Sequence, residues 1–250
     1  MEVRVWGQSA NKKFKFLSLN AKYLPGALSV YRKSFFVNEN ISKVTGIAKS
    51  DKASRQMECL FEIVAQNGVS VVAVEEDTDK VVGAALNRIQ VITPDRPDAI
   101  SVIALFWSKQ YTVSFRLLME EKVDIFKHYG ITTIMDHMFL ATHPEYYQQG
   151  IGSGLVAATV DIARALNRGE DVAVPISDET YPWKNKTPPK VQAVIGLFTS
   201  PISQKIPRSL GWEEVFIAKH DQLFYEGKSY GSRLDANNQT TVYMAIRTKN

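Results

Sequence analysis

The sequence predicts one mixed α/β (α+β) domain spanning residues 1–250 and built on a mixed sheet. Three observations carry this expectation. Apolar segments of strand length alternate with amphipathic segments of helix length, in the order β-α-α-β-β-α-β-α-β-α-β-β. Residues 68–86 read as strand, polar turn and strand, the pattern of an antiparallel hairpin. No internal repeat and no long Gly, Ser or Pro linker divides the chain. A chain of 250 residues buries roughly 70 to 75% of its unfolded surface, so the core needs no disulfide. The single cysteine, Cys59, cannot form one internally.

Phe14 to Leu19 is the first strand, with Phe14, Phe16 and Ser18 opposite Lys15, Leu17 and Leu19. In the helix that follows, Leu24, Leu28, Tyr31 and Phe35 recur at i, i+4, i+7 and i+11, and Pro25 is tolerated in the first turn. A second helix from about Lys52 to Gln66 buries Met57, Leu60, Phe61 and Val64 and ends at Asn67-Gly68. The hairpin comes next, and then a loop at Pro94 to Pro97. A third helix, Ser114 to Tyr129, turns Leu118, Ile125, Phe126 and Tyr129 inward before Gly130 stops it.

His137 to Thr142 is an apolar strand that runs through His143-Pro144 into a glycine-bearing turn. The next helix places Leu155, Ala158, Thr159, Ile162 and Leu166 on one face and Arg164 on the wet one. A polar loop, Asn167 to Lys190, leads to the apolar strand Val191 to Phe198. Ser200 then reads as a helix N-cap with Pro201 at the first helical position. Pro207 lacks an N–H and should shorten or kink that helix, which Gly211 closes. Strands near Trp212 to Ala218 and Thr240 to Ile246 finish the order.

Composition narrows the function classes. The net charge of +4 and pI near 9.0 admit a polyanionic partner, but the longest basic run, Lys12-Lys13 with Lys15, is too short for a nucleic-acid arm. No apolar run approaches the ~18 residues of a membrane span, and the N-terminus lacks a signal-peptide pattern. A cytoplasmic monomer that binds neither nucleic acid nor membrane is the expectation. With one thiol and scattered histidines, no metal site is expected.

The chemistry concentrates in Tyr147-Gln148-Gln149-Gly150-Ile151-Gly152-Ser153 between strand and helix. Glycines at such a turn let backbone N–H groups converge on a phosphate at a helix N-terminus. They equally allow a tight turn that brings the helix close to its neighbours. A Rossmann fingerprint fits poorly because the third glycine, Gly154, comes one residue early, and a Walker lysine is absent.

The segment resembles the acetyl-CoA loop of the GNAT acetyltransferase superfamily, Arg/Gln-x-x-Gly-x-Gly/Ala, with the glycines at Gly150 and Gly152 and with Tyr147 in the first position. The resemblance covers most of the chain and is nearest to the insect arylalkylamine N-acetyltransferases. It implies a mostly antiparallel sheet flanked by helices, acetyl-CoA as cosubstrate, and a primary arylalkylamine as acceptor, with polyamines or protein amines, or an inactive CoA-binding relative, as the alternative. The cofactor would lie on Tyr147 to Ser153 and on the backbone N–H groups of Leu140 and Thr142. Where that family has Asp-Glu-Pro-Leu, this chain has Asn38-Glu39-Asn40-Ile41, which implies Glu39 as general base. Read from the residues alone, Glu39 is a solvated carboxylate at a helix end. The family's Ser-x-x-x-Ser before a Leu-Gly-Phe turn maps to Thr199 and Ser203 before Leu210-Gly211-Trp212. That implies a hydroxyl for the leaving thiolate, beside the plainer reading of Ser203 as a capping residue. The loops Ile89 to Trp107 and Asn167 to Lys190 are expected to build the acceptor cleft. His220 carries no signal.

Overall fold

The strand segments are rich in Val, Ile, Ala and aromatic residues, which suit a pleated surface covered on both sides. The computed structural model, which describes residues 3–92, 119, 122–177 and 181–248, pairs eight strands into one sheet. They are β1 (Val5–Gln8), β2 (Phe14–Ser18), β3 (Val71–Glu75), β4 (Val81–Val91), β5 (Thr133–Thr142), β6 (Ala193–Phe198), β7 (Glu213–Lys219) and β10 (Thr240–Arg247), ordered β1-β2-β3-β4-β5-β6-β10-β7. β5 and β6 run parallel and every other adjoining pair is antiparallel. A hairpin of β8 (Phe224–Tyr225) and β9 (Lys228–Ser229) stands apart from the sheet.

The alternation in β2 sorts its residues onto two cores. Leu17 joins the face covered by α1 (Leu24–Val30) and α4 (Asp51–Ala65), where Phe61 lies 4.5 Å from Tyr31 and 4.6 Å from Phe139, ring to ring. Phe14 and Phe16 join the other face, covered by α6 (Ile151–Asn167). A Cβ on Gly154 would stand 1.9 Å from the Phe16 ring. Only glycine lets α6 ride this close to the sheet, so Gly154 serves packing.

The α4 stripe, Met57, Leu60, Phe61 and Val64, is buried as its spacing predicts, with Ser50 as N-cap. Several expectations need correction. The first helix is not regular: α1 passes into a π turn, Tyr31–Phe35, and ends in α2 (Phe36–Asn38). The added residue rotates the downstream face. A short helix, α3 (Asn40–Thr45), follows immediately. Strand β1 went unforeseen because it is an edge strand, half exposed and anchored by Trp6 Nε1 donating to Ser18 Oγ at 2.8 Å. Of the expected helix at Ser114 to Tyr129, Met119 and Lys122 are helical among the described residues. After a break at Val123 and Asp124 a separate helix, α5 (Ile125–Tyr129), starts with Asp124 as its N-cap, accepting from Phe126 and Lys127. Leu118 and the Pro94 to Pro97 loop lie outside the described residues.

The described residues of the loop after α6 build no part of the cleft described below. Val174 donates to Gly68 O at 2.8 Å and Trp183 Nε1 to Asn67 O at 3.2 Å, tying this loop to the end of α4. Among the described residues, no helix is long and apolar enough to cross a membrane.

Candidate active site

Strands β5 and β6 start side by side and then part. Their pairing runs from Ile134 opposite Ala193 to His137 opposite Gly196 and stops, whereas β5 stays paired with β4 as far as Thr142. A bulge decides which backbone groups face the opened edge. Leu86 lies opposite Phe139 and Asn87 opposite His137, which leaves Met138 as the extra residue. The buried Tyr31 hydroxyl donates to Phe139 O at 3.0 Å beside the bulge, and burial pushes its pKa well up. Beyond the bulge, His143 donates its N–H to Val82 O at 2.8 Å, on the β4 side. Backbone direction alternates along a strand, so Leu140 and Thr142 turn their N–H groups away from β4, toward the opening.

A cavity of about 690 Å³ fills this opening. One wall is the turn into α6. Gln148 (φ +61°) and Gly150 (φ +77°) both adopt left-handed backbone, and Gly150 is the residue from which α6 starts. No side chain caps α6, whereas Glu39, Ser50 and Asp124 cap α3, α4 and α5. The first-turn N–H groups of a helix have no internal acceptor, and with the helix dipole they favour an anion. A Cβ on Gly150 would meet nothing within 4 Å, so the space over the turn is open.

The neighbouring residues are used differently. A Cβ on Gly152 would meet Ile206 Cδ1 at 2.9 Å, so this glycine admits the next helix, α7 (Pro201–Ser209). Ile151 is buried, so it brings its backbone to the wall. Gln148 and Ser153 line the cavity and Gln149 does not. His143, at the root of the turn, is held below the usual imidazole range by burial.

The opposite wall carries Glu39. Its backbone leaves the helical region (φ −69°, ψ 138°), which ends α2 and starts α3. The carboxylate caps α3: Oε1 accepts from Ile41 N at 2.9 Å and Oε2 from Ser42 N at 2.7 Å. A third donor comes from the end of β6, where Thr199 Oγ1 donates to Oε1 at 2.6 Å. Asn40 Nδ2 donates in turn to Thr199 O at 2.6 Å. Two residues in succession thus clasp Thr199 and hold the Glu39 turn over the cavity.

Both implied hydroxyls line the cavity, each already engaged. The Thr199 hydrogen lies on Glu39, which conflicts with an expected role toward a thiolate. Ser203 forms a capping box with Ser200: its backbone N donates to Ser200 Oγ at 3.2 Å, and its Oγ accepts from Ser200 N at 3.2 Å and donates to Ser200 O at 3.0 Å. Tyr147 also departs from expectation. Its hydroxyl stands 2.9 Å from Ser34 Oγ and accepts from Asn38 Nδ2 at 3.1 Å, on the Glu39 wall.

Sequence reasoning gives no role to three residues at or beside the site, although it reads His137 as a strand residue lining the core or cleft. His137 lines the cavity with Nδ1 at 2.9 Å from Asn87 Oδ1. Lys205 carries the one ammonium among the described lining residues. His220 is buried, with Nδ1 at 2.8 Å from Asn238 O and Nε2 at 2.8 Å from Thr241 Oγ1. Burial lowers its pKa against the hydrogen bond to Asn238 and the nearby Glu39 charge. No spacing rule marks these residues: His137 lies on β5, Lys205 on α7 and His220 in the turn after β7, and the partners of the two histidines are distant in sequence. Among the described residues no cluster of His, Cys, Asp and Glu could hold a metal ion.

No protein-family model matches the chain, and no curated protein matches it. Solved structures do. Arylalkylamine N-acetyltransferase 2 from Aedes aegypti superposes with a TM-score of 0.72 at 19% identity, covering 94% of this chain and 99% of that one. Polyamine N-acetyltransferase from Drosophila melanogaster, an enzyme that catalyses formation of N-acetylagmatine, gives 0.69 at 12% identity with 94% and 99% covered. The C-terminal condensation domain of Ebony, in complex with β-alanyl-dopamine, gives 0.63 at 12% identity with 94% and 99% covered. The fold expected from the GNAT resemblance is the one present.

Proposed function

We propose that this chain transfers the acetyl group of acetyl-CoA directly to a primary amine, an arylalkylamine in preference to a polyamine. One observation carries the reading: a single cavity joins an uncapped helix N-terminus, a parted strand edge and a clasped carboxylate. The first-turn N–H groups of α6 suit the pyrophosphate, Leu140 and Thr142 suit the pantetheine amides and the thioester oxygen, and Glu39 faces the acceptor. Open space above Gly150 fits a bound phosphate.

In this mechanism Glu39 takes the proton that the ammonium must lose before its lone pair can attack the carbonyl carbon, directly or through water. A C–N bond forms and the C–S bond breaks. Backbone N–H groups of the parted edge stabilise the oxygen charge that develops. The departing thiolate accepts a hydrogen bond from the Ser203 hydroxyl, which must first turn from Ser200 O because the Thr199 hydrogen is committed to Glu39. It is protonated by the second proton that the nitrogen sheds as the amide forms.

The preference for an aromatic monoamine rests on the lining. Phe35, Met138, Phe139, Leu197 and Phe198 offer apolar wall, and Glu39 is the one carboxylate among the described lining residues. A polyamine would bring a second cation with no second carboxylate there to meet it. Structural neighbours named for arylalkylamine and for polyamine acetylation frame the test. Thiol release from acetyl-CoA is measured with tryptamine, dopamine, agmatine and spermidine. Turnover of the aromatic amines above the others supports the reading, a polyamine preference overturns its finer part, and CoA binding without turnover of any amine overturns catalysis.

A further inference from the structure

We infer that Tyr147 is a positioning residue that couples the cofactor turn to the Glu39 turn, so that filling one side of the cavity tightens the other. The inference rests on the acetyl-transfer reading and names a device within the same site. Tyr147 immediately precedes Gln148 and Gly150, the two left-handed residues that set up the start of α6, so its backbone belongs to the cofactor turn. Its ring leaves that turn and crosses to the other wall, where the hydroxyl meets Ser34 Oγ at 2.9 Å and Asn38 Nδ2 at 3.1 Å.

Ser34 lies in the π turn and Asn38 is the last residue of α2, directly before Glu39. Among the described residues, these two are the side-chain hydrogen bonds that run between the cofactor turn and the Glu39 wall. Tyr147 remains 45% exposed, so burial gives a poor reason for the ring's position and the hydroxyl gives a better one. Displacing the cofactor turn must pull on Asn38, and through one peptide bond on Glu39. Clasped by Thr199 and Asn40 on its far side, the Glu39 turn has two supports. The Tyr147 tie is the one that reaches the cofactor.

Coupling between two sites is reciprocal. Two neutral hydrogen bonds support a factor of roughly five to ten, at the lower end of what coupled sites show. Calorimetry measures CoA affinity for wild type, Tyr147→Phe, Asn38→Ala and the double variant, with and without saturating tryptamine. The wild type should bind CoA about five- to tenfold tighter with the amine present; Tyr147→Phe, which removes both bonds, should reduce that factor below about twofold, and Asn38→Ala, which leaves the Ser34 bond, should reduce it in part. The double variant should lose no more than Tyr147→Phe, which already removes both hydrogen bonds of the tie. In turnover, Tyr147→Phe should raise KM for tryptamine by about the same factor while kcat changes less.

Undiminished coupling in Tyr147→Phe overturns the inference, as does a wild type that turns over with no coupling. A loss of CoA affinity equal with and without amine also overturns it, because Tyr147 would then be a plain cofactor contact. So does a fall in melting temperature with the coupling intact. Wild type that fails to bind CoA brings down the transfer reading together with this one, whereas coupled wild type with equally coupled variants brings down this one alone.

Discussion

Glu39 holds two jobs at once, and paired substitutions separate them. A carboxylate offers about four acceptor sites. Ile41 N and Thr199 Oγ1 occupy Oε1 and Ser42 N occupies Oε2, leaving capacity on Oε2 for an incoming proton. Glu39→Gln turns an NH2 toward one of these donors, so a capping bond is lost at a cost of about 0.5–2 kcal/mol. For a chain of this size each kcal/mol lowers Tm by about 2–4 °C. The amide accepts no proton, and loss of a general base costs about 10²- to 10⁴-fold in rate. Glu39→Asp keeps both charge and cap but draws the carboxylate back by about 1.5 Å. It should melt near the wild type and yet lose about 10²-fold in turnover through misplacement. Instability cannot imitate these rates, because losing 2 kcal/mol from about 5–15 leaves nearly every molecule folded. Thiol release with tryptamine across roughly pH 6 to 9, beside circular-dichroism melts, reads both effects, and the deficit should deepen at low pH, where the amine is protonated. If Glu39→Gln turns over at the wild-type rate across that range while Tm falls as worked, Glu39 is only a helix cap.

Three further outcomes are expected. Gly150→Asn tolerates the left-handed backbone but puts a side chain into open space over α6, so acetyl-CoA affinity by calorimetry should fall about tenfold with Tm little changed; unchanged affinity would remove the phosphate from this turn. Ser203→Ala should show both effects that sequence reading treats as alternatives, a Tm loss worth ~1 kcal/mol from the capping box and a lower kcat per folded molecule; unchanged kcat leaves Ser203 as a cap. His143 and His220 are both lowered from the ordinary 6.5 by burial. The unfolded chain therefore takes up protons that the folded chain refuses, and stability should fall as pH drops below 6.5. Glu75, held low by its hydrogen bond from Thr78, adds a loss of the same sign only below its ordinary 4.5. Urea melts flat from about pH 7 to 5.5 would contradict the histidine part of this account.

Periodicity made most of the fold legible, because a face that must be buried leaves its repeat in the chain. The stripes of α4 and α6 and the two faces of β2 could be read for that reason. The misses share a cause as well. The π turn at Tyr31–Phe35 and the bulge at Met138 each add one residue to an otherwise regular element. Each changes which side a later residue faces without disturbing local composition. The bulge directs Leu140 and Thr142 to the cavity, and the π turn precedes the stretch that carries Asn38 and Glu39. Insertions of this kind are settled by partners in other elements, such as the Tyr31 hydroxyl at Phe139. A single sequence cannot display those partners.

The candidate site shows the same limit at the level of pairs. Tyr147, where the GNAT pattern has Arg or Gln, and Asn38, where the insect family pattern has Asp, look in the sequence like two separate departures more than a hundred positions apart. In the fold they hydrogen-bond to each other at 3.1 Å. Asn40, in place of Pro, has a side-chain donor that Pro lacks and spends it on Thr199 O. Each departure therefore has a partner on another wall of the same cavity. Changing one member alone would strand a polar group at a half-open interface, whereas changing both can leave the wall-to-wall contact intact. That is a physical reason for the motif positions to differ from the pattern together, and for the chain to match the pattern least where its fold is most closely tied.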